Sequence, residues 1–222
     1  METLGTVLPI YFVADESASM GPHVGEMNDA LDELLAALHE QPFAASKARF
    51  SIIGFSDQAR LYLPPADVRD LTALPQLTAN SVTEYSAVFE LLSVQIPYDV
   101  QRLKDEGYSV ARPAVYFLTD GMPTDSGDWQ QSRDALLNIR ERPNILAFGI
   151  GDAERDIIRQ VATNPAYAFI VQDGTSVGPA LKEFFGSFTQ SIIQSGTNVA
   201  AGINRVEIEK PSNFIALDVD VL

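Results

Sequence analysis

Short runs of consecutive apolar residues recur along this chain and alternate with stretches whose apolar residues recur at helical spacing. The apolar runs cover residues 7–14, 48–55, 113–119, 144–150 and 167–171. Strands that are apolar on both faces are typical of a parallel sheet that helices cover on both sides. The chain is therefore predicted to adopt an α/β fold with a doubly wound, mostly parallel central sheet and helices on both faces.

The helical spacing predicts helices over residues 25–38, 84–92, 128–140, 154–162 and 177–194. A polar dipeptide at residues 56–57 separates two β-rich runs, which favours a tight hairpin. This hairpin adds one antiparallel edge strand, which is predicted to stop at the proline pair 64–65. Residues 95–112 contain Pro97 and are predicted to be partly irregular.

The length of 222 residues is ordinary for a single domain. The stretch SGTNVAAG, residues 195–202, is predicted to be a linker. We therefore expect one domain over residues 1–195 and a C-terminal extension or arm over residues 196–222.

The chain is strongly acidic, with 30 acidic and 15 basic residues, a formal charge of −15 and no block of Lys or Arg. Such a chain repels phosphate backbones and anionic lipid, so neither nucleic acid nor a membrane is expected as a partner. It has no cysteine, which excludes disulfides, thiolate metal ligands and thiol enzymes. It shows no basic leader and no apolar segment of membrane-spanning length, so the expected location is cytoplasmic.

Two acidic residues end apolar runs in a way that suggests a binding site. Asp15 ends the first run in YFVADESASM, where the hydroxyls of Ser17 and Ser19 follow at alternate positions. Asp120 ends a later run in FLTDGMPTD, and Thr83 lies just before a predicted helix. The carboxyl ends of parallel strands meet at one edge of a sheet, where ligands bind. These five side chains are therefore expected to share one site at the rim of the sheet, outside the core.

The order Asp15-x-Ser17-x-Ser19, then Thr83 in a loop, then Asp120 in TDG, resembles the metal-ion-dependent adhesion site (MIDAS) of von Willebrand factor A (vWA) domains. The resemblance extends over nearly the whole chain and implies a Rossmann-like vWA fold. It also implies that Ser17 and Ser19 coordinate a metal ion directly and that Thr83 does so directly or through water. Asp15 and Asp120 would act mainly through water.

The expected metal is Mg²⁺, with Mn²⁺ and Ca²⁺ as alternatives. Magnesium prefers about six oxygen ligands and keeps several waters, which short hydroxyl and carboxylate side chains on fixed loops suit. Neutral hydroxyl ligands leave the ion only partly neutralised, so an Asp or Glu of a protein partner is expected to complete its coordination. Within the C-terminal arm, Asp218 and Asp220 are candidates to offer a carboxylate to the metal of a neighbouring molecule.

The chain departs from the family pattern at two places. Glu16 stands where a small or hydroxyl residue is common, and the loop reads SVTEY where GGT is common. Together with Glu84 and Asp125, Glu16 adds negative charge, which favours the cation and discourages an acidic ligand.

Simpler explanations exist for each residue of the pattern. The serines and Thr83 can cap helices, and Asp120 with the following glycine forms a common turn pair. Trp129 follows the Asp120 loop and is either an exposed anchor for a partner or a buried residue of a helix's first turn.

Two enzyme classes have active sites that share part of this residue pattern, but the chain lacks a required residue of each. Ser176 in GTSVG resembles a nucleophile elbow, yet His23 and His39 both precede it, whereas α/β-hydrolases place the base after the nucleophile. Asp15 beside magnesium could be a phosphotransferase nucleophile, yet Ser17 stands where haloacid-dehalogenase-like phosphatases need a second Asp. We therefore expect no enzyme activity and no catalytic residue.

Within the vWA family, the stretch LTDGMPTD in a cysteine-free chain is similar to bacterial tellurium-resistance-associated (TerY-like) vWA proteins. That resemblance implies a cytosolic scaffold of a tellurite or stress-response system that works with a protein kinase or phosphatase. The alternative is a substrate-recruiting or assembly subunit of an AAA-type ATPase. A Mg-dependent phosphotransferase or hydrolase is the remaining alternative.

Overall fold

The computed structural model describes residues 3–125 and 129–218 of the chain. Its strands are β1 (Thr6–Asp15), β2 (Ala48–Phe55), β3 (Ala59–Ala66), β4 (Ser109–Val110), β5 (Ala114–Thr119), β6 (Asn144–Gly149), β7 (Ala168–Val171) and β8 (Phe214–Ala216). Its α-helices are α1 (Val24–His39), α2 (Pro42–Ala45), α3 (Tyr85–Asp105), α4 (Trp129–Asn138), α5 (Arg155–Val161) and α6 (Val177–Ala200). Short 3₁₀ helices cover Ala18–His23, Val68–Asp70 and Pro165–Tyr167.

The middle of the sheet is parallel, and its strands lie in the order β3-β2-β1-β5-β6-β7-β8, with β4 beside β1. β1 pairs in parallel with β2 and β5, and β6 pairs in parallel with β5 and β7. At one edge β3 runs antiparallel to β2, and at the other the short β8 runs antiparallel to β7. The predicted fold class is confirmed.

The side chains of β1 alternate between two buried layers, one on each face of the sheet. Ile10 and Phe12 lie in the layer covered by α1, α2 and α6, where the ring centroid of Phe12 is 5.3 Å from that of Phe185. Tyr11 and Val13 lie in the layer covered by α3, α4 and α5. Because helices cover both faces, the ends of the strands are where the sheet can meet a ligand.

Two elements continue through prolines that were expected to interrupt them. Helix α3 continues through Pro97 to Asp105, so the predicted helix end at residue 92 is wrong, whereas residues 106–108 and 111–112 are the irregular part that was expected within residues 95–112. Val100 and Leu103 continue its buried stripe at helical spacing, and their burial offsets the cost of the proline. The predicted stop of β3 at prolines 64–65 is also wrong, because an edge strand with a register shift there tolerates a missing N–H group.

Helix α6 continues to Ala200, so the prediction of a linker that starts at Ser195 is wrong. Gly196 is buried where α6 passes α2, and a Cβ at this position would overlap the main chain of Ala44. The glycine that suggests a linker in the sequence is therefore a point of close helix packing.

The segment after α6 packs back along that helix before it joins the sheet. Residues 203–213 contain no helix or strand, and the N–H group of Glu207 donates a 2.9 Å hydrogen bond to Ser195 Oγ. The segment leads into β8, where Phe214 is fully buried in the same layer as Phe12.

Three predictions concern residues at or beyond the limits of the described part of the chain. The division into a domain over residues 1–195 and an extension over residues 196–222 stays a prediction. Asp218 is exposed after β8, whereas Asp220 lies outside the described residues. Asp128, the predicted start of a helix, also lies outside them.

None of the helices within residues 3–125 and 129–218 combines the length and the apolar character that crossing a membrane requires.

We predict that Gly196→Ala destabilises the fold and that Gly186→Ala, on the same helix, stabilises it. Alanine is favoured over glycine in a helix by about 1 kcal/mol, and position 186 has open space around it. At position 196 the added methyl group overlaps the Ala44 main chain, and overpacking of this kind costs about 1–3 kcal/mol. Urea denaturation of both variants measures the change in the free energy of unfolding. Equal stabilisation by the two substitutions would contradict the close packing of α6 on α2.

Candidate metal centre

The carboxyl ends of β1 and β5 bring two of the candidate residues side by side. Asp15 is the last residue of β1, and Asp120 directly follows β5, which pairs with β1 in parallel. After Asp15 the chain leaves the sheet and enters the 3₁₀ helix Ala18–His23. Ser17 and Ser19 therefore lie in the turn that follows the strand.

Four of the five candidate residues are joined by hydrogen bonds. The N–H group of Ser17 donates to Asp15 Oδ1 at 2.8 Å, and the hydroxyl oxygens of Ser17 and Ser19 lie 3.0 Å apart. Ser19 Oγ donates to Asp120 Oδ1 at 2.8 Å. The two strand ends are thus connected through a row of hydrogen-bonded residues.

The fifth candidate, Thr83, lies on a loop beside this row. Thr124 donates its N–H group at 2.8 Å and its hydroxyl at 3.0 Å to the carbonyl oxygen of Thr83, which ties the loop to the segment after Asp120. A Cβ placed on Gly121 would lie 3.8 Å from Thr83 Oγ1. Thr83 is buried, yet its hydroxyl makes no hydrogen bond to any described residue.

Helix capping does not account for these hydroxyl groups. Ser17 occupies the N-cap position of the 3₁₀ helix, but its side chain makes no capping hydrogen bond. The N-cap residue of α3 is Glu84 rather than Thr83. The Ser17 hydroxyl meets the Ser19 hydroxyl instead of the free N–H groups that a cap would satisfy.

Asp15 is fully buried, and Ser17, Thr83 and Asp120 are buried too, so the expectation that the candidate residues lie outside the core is wrong for four of the five. Asp15 Oδ2 accepts a 2.6 Å hydrogen bond from Thr119 Oγ1, which in turn accepts one from the Tyr85 hydroxyl at 3.1 Å. Burial raises the pKa of Asp15 to about 6, although hydrogen bonds from Thr119 and Ser17 offset part of this effect. Sequence reasoning missed Thr119 and Tyr85; the available signal was a strand-end hydroxyl directly before Asp120.

The cluster concentrates negative charge and oxygen donors without a cation of its own. Burial also raises the pKa of Asp120, and among the described residues neither Asp15 nor Asp120 has an ion-pair partner. A group of three or more His, Cys, Asp or Glu side chains suited to a metal is absent from the described part of the chain, so a metal here would depend on the hydroxyl groups. Oxygen-only donors suit Mg²⁺, Mn²⁺ or Ca²⁺.

The residues present therefore fit a hard divalent cation. The side chains that could hold it are the predicted ones, and their assignment as ligands stays a prediction: Asp15, Ser17, Ser19, Thr83 and Asp120.

Glu16 does not extend freely beside this cluster, because hydrogen bonds fix its carboxylate against a neighbouring strand and loop. Its Oε1 accepts a 2.9 Å hydrogen bond from the Tyr62 hydroxyl and a 2.7 Å hydrogen bond from the N–H group of Thr78. The carboxylate fills the space over Gly54, where any Cβ would overlap it. Glu16 thus holds the loop that leads to Thr83 against the end of the sheet.

The same loop is anchored at two further points. Asn28 of α1 donates to the carbonyl oxygen of Leu77 at 3.1 Å and accepts from the N–H group of Leu77 at 2.8 Å. The N–H group of Asn80 donates to the main-chain oxygen of Glu16 at 2.6 Å. Because this loop has no helix or strand of its own, these contacts determine where Thr83 lies.

The segment after Asp120 packs on α3 rather than presenting an aromatic anchor. Asp125 Oδ2 accepts a 2.7 Å hydrogen bond from the N–H group of Ser86 in the first turn of α3. Trp129 is only 2% exposed, and its ring centroid lies 5.5 Å from that of Tyr85. The idea of Trp129 as an exposed anchor is therefore wrong, and its burial in the first turn of a helix is confirmed.

The residues of the hydrolase alternative do not come together. Ser176 is the N-cap residue of α6. His23 Nδ1 lies 3.1 Å from Glu26 Oε2, and His39 Nε2 lies 2.8 Å from the carbonyl oxygen of Val68. Neither histidine hydrogen-bonds to Ser176, so neither can act as the base for this hydroxyl.

Comparison with known proteins relates this geometry to one family. The family model of the von Willebrand factor type A domain matches residues 10–186. No curated protein sequence matches the chain significantly.

Solved structures with a similar fold come from several organisms. They include a von Willebrand factor type A protein from Catenulispora acidiphila (TM-score 0.59, 20% identity, covering 85% of this chain and 43% of that one). Proximal thread matrix protein 1 from the mussel byssus, with a zinc-occupied MIDAS motif, is similar over 88% of this chain and 47% of that one (TM-score 0.58, 15% identity). The pilus adhesin SpaC from Lactobacillus rhamnosus GG is similar over 87% of this chain and 31% of that one (TM-score 0.65, 13% identity). The chain spans less than half the length of each, and at these identities the likeness concerns the fold.

We predict that Glu16→Ala weakens metal binding about tenfold, whereas Glu16→Gln leaves it within about twofold of the wild type. Outer contacts that orient metal ligands are typically worth about 10–100-fold in affinity. Glutamine keeps a side-chain oxygen for Tyr62 and Thr78, whereas alanine releases the Thr83 loop. Titration calorimetry with Mn²⁺ on chelator-treated protein measures the affinities. An equal loss in both variants would instead assign the role of Glu16 to its charge.

Proposed function

The chain belongs to the von Willebrand factor type A domain family, and we propose that it is a metal-dependent protein-binding module whose MIDAS captures a carboxylate of a protein partner. Domains of this family are in general adhesion and interaction modules that bind divalent metals. The observation that carries the proposal is the row of hydrogen-bonded residues from Asp15 through Ser17 and Ser19 to Asp120, at the carboxyl ends of two adjacent parallel strands.

Each residue of the row has a distinct task in this proposal. The hydroxyls of Ser17 and Ser19 bind the metal, and Asp15 orients Ser17 through the main-chain N–H group. Thr119 holds Asp15 in place from the neighbouring strand. When bound, the ion supplies the positive charge that attracts the partner's Asp or Glu.

The hydroxyl of Thr83 has no other hydrogen bond to the described residues, and it completes the oxygen donors on the loop side. Mg²⁺ is the proposed ion, with Mn²⁺ and Ca²⁺ as alternatives, because all of the donors are oxygen atoms.

We propose no catalytic activity for the chain. A phosphotransferase nucleophile needs a carboxylate oxygen that can reach the substrate, but both oxygens of Asp15 accept hydrogen bonds and the residue is fully buried. In the hydrolase alternative, neither histidine can act as the base for Ser176.

The proposed setting is a cytosolic scaffold of a bacterial tellurite or stress-response system, with a protein kinase or phosphatase as the partner. The support for this setting is the resemblance of LTDGMPTD to the tellurium-resistance-associated proteins. The charge of −15 supports a protein partner over nucleic acid or membrane. Metal-dependent copurification of a kinase or phosphatase would support this setting, and that of an AAA-type ATPase would support the assembly-subunit alternative.

We predict that Asp120→Ala abolishes saturable one-site binding of Mg²⁺ or Mn²⁺ while the protein remains folded. Asp120 accepts the hydrogen bond of Ser19 and lies after the strand rather than within it, so its loss removes a carboxylate without opening the sheet. Isothermal titration of chelator-treated protein measures binding, and circular dichroism checks the fold.

Asp173→Ala is the matched control, because the Asp173 side chain is 98% exposed and has no part in the proposed site. It should bind metal as the wild type does. Failure of the wild type to bind either ion would remove the basis of the proposed function.

A further inference from the structure

Two large apolar side chains are exposed directly beside the proposed metal ligands. Val82 precedes Thr83 and is 44% exposed, and Met122 lies two residues after Asp120 and is 45% exposed. Single exposed apolar residues are ordinary on protein surfaces. Here, however, two of them lie on the two loops that adjoin the same cluster.

Hydrogen bonds hold these two loops together. The N–H and hydroxyl groups of Thr124 both donate to the carbonyl oxygen of Thr83, which joins the segment after Met122 to the segment after Val82. On the other side of Val82, the carbonyl oxygen of Ser81 accepts a 3.0 Å hydrogen bond from the N–H group of Ala18. The main chain on each side of Val82 is therefore fixed, and its exposure follows from the loop conformation.

The remaining charge around the cluster is unfavourable for a purely acidic ligand. Exposed Asp152 lies next to Asp120, and the N–H group of Asp152 donates to the Asp120 carbonyl oxygen at 3.0 Å. The whole chain also carries a charge of −15. A partner that offers only carboxylates meets repulsion from these groups, which an apolar contact next to the carboxylate can offset.

We propose that Val82 and Met122 form an apolar rim of the metal site that selects a protein segment in which the Asp or Glu is directly flanked by a large apolar residue such as Leu, Ile or Phe. This inference rests on the proposed function and specifies its partner. The carboxylate completes the metal site, and the flanking side chain packs on Val82 and Met122. Methionine suits this role because its flexible thioether adapts to different apolar shapes.

A peptide array tests the rim. Each peptide has a central Asp or Glu, and the residues on its two sides range over large apolar, small, polar and charged types. The full-length chain is applied with Mn²⁺ and, in parallel, with a chelator. We expect metal-dependent binding that favours peptides with a large apolar flanking residue.

A double variant and a control variant test whether Val82 and Met122 contact the flanking residue. Val82→Ser with Met122→Gln removes the apolar rim, and we expect it to lower binding of the apolar-flanked peptides about tenfold, to the level of the polar-flanked ones. Its metal affinity, measured by calorimetry without peptide, should equal that of the wild type. Val94→Ser is the control, because Val94 is 72% exposed and lies within α3, more than two helical turns after that helix begins at Tyr85.

The outcomes separate this inference from the function on which it rests. Equal metal-dependent binding of apolar-flanked and polar-flanked peptides, unchanged in the double variant, would overturn the apolar rim and leave the metal-dependent capture of carboxylates standing. Absence of metal-dependent binding by every peptide would overturn both. Loss of selectivity in the double variant with unchanged metal affinity would support the rim.

Discussion

The hydrogen bond from Thr119 Oγ1 to the fully buried Asp15 Oδ2 joins the ends of two adjacent parallel strands. A buried carboxylate is costly unless its oxygens are satisfied, and here one oxygen is held by Thr119 and the other by the N–H group of Ser17. The position of Ser17 therefore follows from the position of Asp15. Through Ser19, the same row of contacts reaches Asp120, which directly follows the second strand.

The loop that carries Thr83 depends on this strand end for its conformation. It has no regular structure, and its main chain is held by Glu16 from the end of β1 and by Asn28 from α1. Both anchors are buried side chains that bond to main-chain groups, so they fix the path of the loop rather than one side chain. A rigid sheet edge and an anchored loop together hold hydroxyl and carboxylate oxygens close to each other, which lowers the entropic cost of ordering them when a ligand binds.

At the carboxyl-terminal edge of the sheet, negative charge and exposed apolar surface have different effects on binding. The raised pKa values of Asp15 and Asp120 reflect carboxylates removed from water, which favours a cation between the strand ends. The same negative charge opposes an acidic partner. Exposed Val82 and Met122 offer contact area that charge repulsion does not affect, and this combination would restrict the partner more than a metal ion alone.

The sequence by itself determined the fold class and the candidate residues. Apolar runs and the polar residues that end them are local patterns, which can be recognised before any tertiary contact is known. The sequence could not determine the lengths of α3 and α6, since Pro97 and Gly196 are tolerated or required only because of the surfaces that pack on them. The sequence also could not assign the structural role of Glu16. Its carboxylate accepts hydrogen bonds from Tyr62 and Thr78, which are distant from it in sequence. Only the tertiary structure decided that Trp129 is buried and that Val82 and Met122 border the site, because burial depends on contacts between residues far apart in sequence.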